Sequence, residues 1–60
     1  MLTITIDTSN DAFADNPAPE VARILRDLAG DMDGRELTSG DGANLRDING
    51  NLVGQWKVTR

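Results

Sequence analysis

The sequence predicts an α+β domain of β-α-β-β order, one helix packed on a three-stranded sheet. Three observations carry that prediction. Within residues 1–7, apolar and hydroxyl side chains alternate from Leu2 to Ile6. A single apolar stripe of helical period runs from Val21 to Met32. An Asn49-Gly50 pair separates two further apolar stretches near the end of the chain.

In residues 1–7, Leu2, Ile4 and Ile6 share one face and Thr3 and Thr5 the other. Period two with β-branched residues is the signature of a strand covered on one side only. Residues 8–16 are rich in Asp, Asn and Ser, which bond to nearby backbone and favour turns. Phe13 lies within them and is expected to fold down as a plug over the start of the helix.

The spacing predicts a helix over residues 17–29. Asn16 is a good N-cap and Pro17 fits the first helical position, although Pro19 permits a later start. Val21, Ile24, Leu25, Leu28 and Met32 recur at i, i+3, i+4, i+7 and i+11, one face of a helix. Arg23 and Asp27 are four apart on the outer face and suited to pair. Gly30 is read as the stop. Residues 31–42, with three glycines and four acids, read as a mobile loop.

Residues 43–59 read as a hairpin. Asn49-Gly50 suits a type I′ turn, which needs two residues at positive φ. A two-residue turn pairs Leu45 with Gly54 and gathers Leu45, Leu52, Trp56 and Val58 on the core face. A three-residue loop with a bulge at Gly50 pairs Leu45 with Val53 instead. The first is preferred because it collects the apolar residues on one face. The predicted core is then Leu2, Ile4, Ile6, the helix stripe, and that hairpin face. The last strand is expected between the first and second, all antiparallel, in preference to the competing order that pairs the first two strands in parallel through a right-handed crossover. The opposite face would carry Thr3, Thr5, Arg46, Ile48, Val53, Gln55 and Lys57. There Ile48 and Val53 are either ordinary scattered surface apolars or, with Lys57, the candidates for self-association.

Composition narrows the function classes. Sixty residues make one domain, 1–60, with a small core. Such domains often gain burial by oligomerising, so a homodimer is a live expectation. The chain has no Cys and no His, hence no thiolate chemistry and no ligand set for a transition metal. Neither acidic stretch completes a calcium loop, whose twelfth position falls on Val58 or Gly42 rather than on an acid. Glycines form no phosphate-binding motif. Net charge is −4, which disfavours nucleic acid and suits a basic protein surface. No leader or membrane span is expected from the first residues.

Catalysis is disfavoured. Ser9 and Ser39 lack a histidine to activate them, and carboxylate pairs lack a cleft to raise a pKa. The expectation is a binding protein without cofactor or metal. Its candidate partner-binding residues are Asp27, Asp31, Asp33, Glu36 and Asp41. The first three crowd the C-terminal end of the helix, where the dipole disfavours acids by about 0.3–1 kcal/mol each. A local rule broken without compensation points to function, against the commoner reading of a solvated charge run. Trp56 is expected to anchor the core rather than an interface.

Three stretches together resemble small uncharacterised proteins of bacteriophage and prophage genomes. They are Ile4-Thr5-Ile6-Asp7-Thr8 with Ala12-Phe13, then Glu20-Val21-Ala22-Arg23-Ile24-Leu25, then residues 45–54. The resemblance spans most of the chain outside 31–42 and rests on structural signatures, so it carries over no active-site residue. It implies an accessory phage product in the bacterial cytoplasm. Products of this size and acidity resemble stoichiometric inhibitors of host defences, such as anti-CRISPR proteins. A self-associating accessory protein is the alternative.

Overall fold

A computed structural model describes residues 1–60. Strand β1 (Leu2–Ile6) leads through a 3-10 turn (Asp11–Phe13) to helix α1 (Ala18–Met32). Strands β2 (Gly42–Arg46) and β3 (Leu52–Val58) follow. The sheet order is β1-β3-β2, antiparallel throughout, so β3 is central and β1 and β2 are both edges. The expected α+β architecture and strand order are those observed.

The helix begins at Ala18, whose amide bonds to the Asn16 side chain at 3.1 Å, with Pro17 as the cap. It does not stop at Gly30. The ladder continues until the Asp33 N–H bonds to the Ala29 carbonyl, and the chain turns away at Gly34 (φ +81°). A glycine inside a helix weakens it without ending it. The stop needs a residue that accepts positive φ, and Gly34 is the one that does.

The turn corrects the expected register. Asp47 N–H bonds to the Asn51 carbonyl, which leaves Ile48, Asn49 and Gly50 as a three-residue loop with Gly50 at φ +84°. Arg46 therefore faces Leu52. A bulge next to it then restores the pairing of Leu45 with Gly54. The inserted residue is Val53. A bulge reverses side-chain parity on one side of it, so Val53 is 6% exposed and Leu52 is 57% exposed. Their expected faces are exchanged: Leu52 leaves the core, and Val53 leaves the outer face.

The core is Phe13, Ile24, Leu28, Leu45, Val53 and Trp56, with Ile6, Ala12, Val21, Met32 and Val58 packed around it. Phe13 sits on the 3-10 turn, capped by the Asn10 side chain, and is buried as expected of a plug. Leu2 and Ile4 point to the helix side of the sheet, opposite Val58 and Trp56, yet remain 42% and 40% exposed. They were expected in the core. The helix lies toward β2, which leaves the face of β1 only half covered.

Candidate functional site

Helix α1 and edge strand β2 run side by side in opposite directions. At one end the Arg23 Nη2 donates to the Arg46 carbonyl at 3.2 Å. Toward the other end, Asp27 and Asp31 stand opposite Ala43 and Asn44 across an open cleft of about 170 Å³. Its buried lining is Ile24, Leu28, Leu45 and Trp56. Small-molecule pockets run from about 300 to 1,000 Å³ and enclose most of the ligand. This cleft is smaller and open, which suits a side chain or an extended segment better than a free metabolite.

The acids divide into two groups by what holds them. Those near the start of α1 are struts. Glu20 is buried, bonded to Arg23 at 2.7 and 3.0 Å, and accepts the Ile48 N–H at 2.7 Å. The Arg23 guanidinium and that N–H hold the Glu20 carboxyl below its ordinary range, against burial and the nearby Asp47 charge. Asp47 is also buried. It accepts from the Asn49 and Asn51 N–H groups and from the Asn51 and Asn10 side chains, at 2.8–3.1 Å. Burial pushes its carboxyl up, and those donors from Asn51, Asn10 and Asn49 more than offset it, so the net shift is downward. The Asp-x-Asn-x-Asn stretch from Asp47 to Asn51 is thus turn chemistry that fastens the hairpin tip to the helix and to Asn10.

The five acids expected to meet a partner are not equivalent. Asp27 and Asp31 are exposed and border the cleft, although Asp27 also pairs with Arg23 at 2.9 Å. Asp33 and Glu36 are exposed beyond the helix end, and no cation lies within ion-pair distance of them or of Asp31. The last turn of α1 carries no basic residue. Asp41 is engaged locally. Its carboxylate accepts the Thr38 N–H and hydroxyl at 3.0 and 3.3 Å and lies 4.0 Å from Arg35, which stacks over Trp56 at 5.4 Å. Trp56 itself is buried, in the role expected of it.

The trio expected to self-associate does not form a surface. Ile48 is exposed at the hairpin tip and Lys57 is exposed on β3, but Val53 is in the core. The apolar surface that sequence reasoning missed is Leu2 with Ile4 on edge strand β1. Its signal was present in the number of helices, because one helix cannot cover a three-stranded sheet evenly. No three acidic side chains converge as a metal site would require. No helix is long and apolar enough to cross a membrane. Compared with known proteins, the chain matches no family model, no curated protein and no solved structure.

Proposed function

We propose that this protein acts by stoichiometric binding of a protein partner with a basic surface rather than by catalysis. The observation that carries the reading is the uncompensated acid at the end of α1. Asp31, Asp33 and Glu36 have no cationic neighbour, stand where the helix dipole is already negative, and continue from the Asp27 side of the cleft. Acids that serve the fold in this chain are bonded to donors, as Glu20, Asp47 and Asp41 are. These are not, which supports an external cation as their counterpart. The resemblance to phage accessory products makes a host-defence effector of the bacterial cytoplasm the first partner class to test.

The test is affinity capture from bacterial lysate at low and moderate salt, with wild type and an Asp31→Lys, Asp33→Lys variant. A basic protein retained by the first, lost in the second and released by salt is the expected result. An identical set retained by both removes the reading. A second reading, self-association through β1, is supported by the half-exposed Leu2 and Ile4 on a free edge.

A further inference from the structure

We infer that the free edge of β2 takes an extended, basic segment of a partner protein as a fourth strand, seated in the cleft beside α1. The inference rests on the protein-binding reading above and names the form the partner takes.

Four consecutive residues of β2, Ala43 to Arg46, line the cleft. Successive side chains of a strand point to opposite faces. Four in a row fit a groove that runs along the strand's edge, with its backbone as one wall. The ladder shows which backbone groups face that way. Val58 N–H bonds to the Asp41 carbonyl, and bonded pairs alternate along an antiparallel ladder. Ala43 and Leu45 therefore bond to β3, while Gly42 and Asn44 turn their N–H and C=O outward. The Arg46 carbonyl also faces outward, and Arg23 already occupies it. Arg23 thus closes one end of the edge, and the stretch around Asn44 is open. It carries no proline and no charge, the usual guards of an exposed edge.

The helix supplies the selectivity. Asp27 and Asp31 are one turn apart, about 6 Å along the axis at 1.5 Å per residue. Alternate residues of a strand are about 6.6–6.8 Å apart and point the same way. A segment with Lys or Arg at alternate positions, hydrogen-bonded to Asn44, would carry its cations past both carboxylates, the unpaired Asp31 and Asp27, whose Oδ2 alone is held by Arg23. The other free edge, β1, has no such wall. Strand addition draws affinity from main-chain bonds and specificity from the flanking side chains, which is the division found here.

The test uses the full chain labelled with ¹⁵N and three capped hexapeptides. One alternates lysine with threonine. The second has glutamate for lysine. The third is the lysine peptide N-methylated at two adjacent central residues, which blocks both of its pairing edges. The expected result is slowed exchange and shifted resonances at the Gly42 and Asn44 amides with the first peptide. Its apparent Kd should be tighter than that of either control by about tenfold. Asp27→Lys with Asp31→Lys should reverse the preference between lysine and glutamate peptides. Equal binding of the N-methylated peptide overturns strand addition while leaving an acidic patch that binds cations. Equal binding of the glutamate peptide overturns the charge selection. Shifts confined to Leu2 and Ile4 overturn the choice of edge. No response at about 1 mM peptide overturns the inference outright. Failure of the lysate capture, in contrast, removes the parent reading whatever these peptides do.

Discussion

Asp47 accepts four hydrogen bonds from three asparagines, two of them from backbone N–H groups of its own loop. Replacing it with alanine strands those donors. Replacing it with asparagine turns an amide donor toward the Asn10 and Asn51 side chains, so the near-isostere is expected to destabilise too. Either change should lower Tm by on the order of 5–10 °C in a thermal melt, given the cost of unpaired buried donors in a small domain. The same residue sets the acid limit of the fold. Its folded-state pKa lies below the ordinary 3.8 and that of Glu20 below the ordinary 4.5. Groups with depressed pKa values stabilise fully above those ordinary values, and the contribution drains as pH falls through the folded ones. Denaturant titrations should therefore show stability level near neutrality and falling below about pH 4.5. The fall should be shallower in Asp47→Asn, whose amide does not titrate. Neighbouring residues Leu52 and Val53 offer a second test at this scale. Val53→Ser should cost about 2 kcal/mol from lost burial and a trapped hydroxyl. Leu52→Ser should stay within about 0.5 kcal/mol. Reversed costs would mean that the bulge is absent.

Helix α1 is long for a chain of this size, and Gly30 sits inside it with open space around its Cα. Gly30→Ala should then stabilise by about 0.5–1 kcal/mol, read as a raised urea midpoint with unchanged slope. A loss would mean that the helix ends at residue 29. This is one of two elements whose limits the residues did not disclose. The apolar stripe from Val21 to Met32 announced the helix and its inward face. Its end depended on which of two glycines takes positive φ, and periodicity does not distinguish Gly30 from Gly34. The hairpin was announced by Asn49-Gly50 in the same way. Its register turned on Asp47, whose carboxylate collects the Asn49 and Asn51 amides and so favours a three-residue loop. That preference is a side-chain effect invisible to apolar counting. Once the loop gained a residue, the bulge at Val53 followed, because Leu45 and Trp56 must still face the helix. Of the candidate site, the crowding of acids at the helix end was legible from charge and dipole alone. The cleft was not, since it depends on α1 lying toward β2. Nor was the local capture of Asp41 by Thr38.

The whole molecule exposes 4223 Å². A compact chain of its mass would expose about 3,800 Å² by the usual scaling of area with mass. The excess goes with an elongated shape, 36 × 19 × 17 Å, in which one helix covers a three-stranded sheet from one side. It is unequally distributed: the β2 edge gains a wall of acids, and the β1 edge is left with Leu2 and Ile4. Only the second is suited to a copy of itself. Two β1 strands paired antiparallel about a two-fold axis would extend the sheet to six strands and bring the four exposed side chains together. Two β2 edges would instead bring Asp27 and Asp31 of both copies close, and like charges would resist it. The β1 contact is modest. A stable interface buries about 1,200–2,000 Å² in total, more than five paired residues and two half-exposed side chains supply. The expected outcome is a weak dimer, populated in sedimentation only at high micromolar concentration. Ile4→Lys should make it monomeric at every concentration while leaving the far-ultraviolet circular dichroism unchanged, because a lysine there reaches solvent. A wild-type monomer at about 1 mM would leave β1 a plain solvated edge.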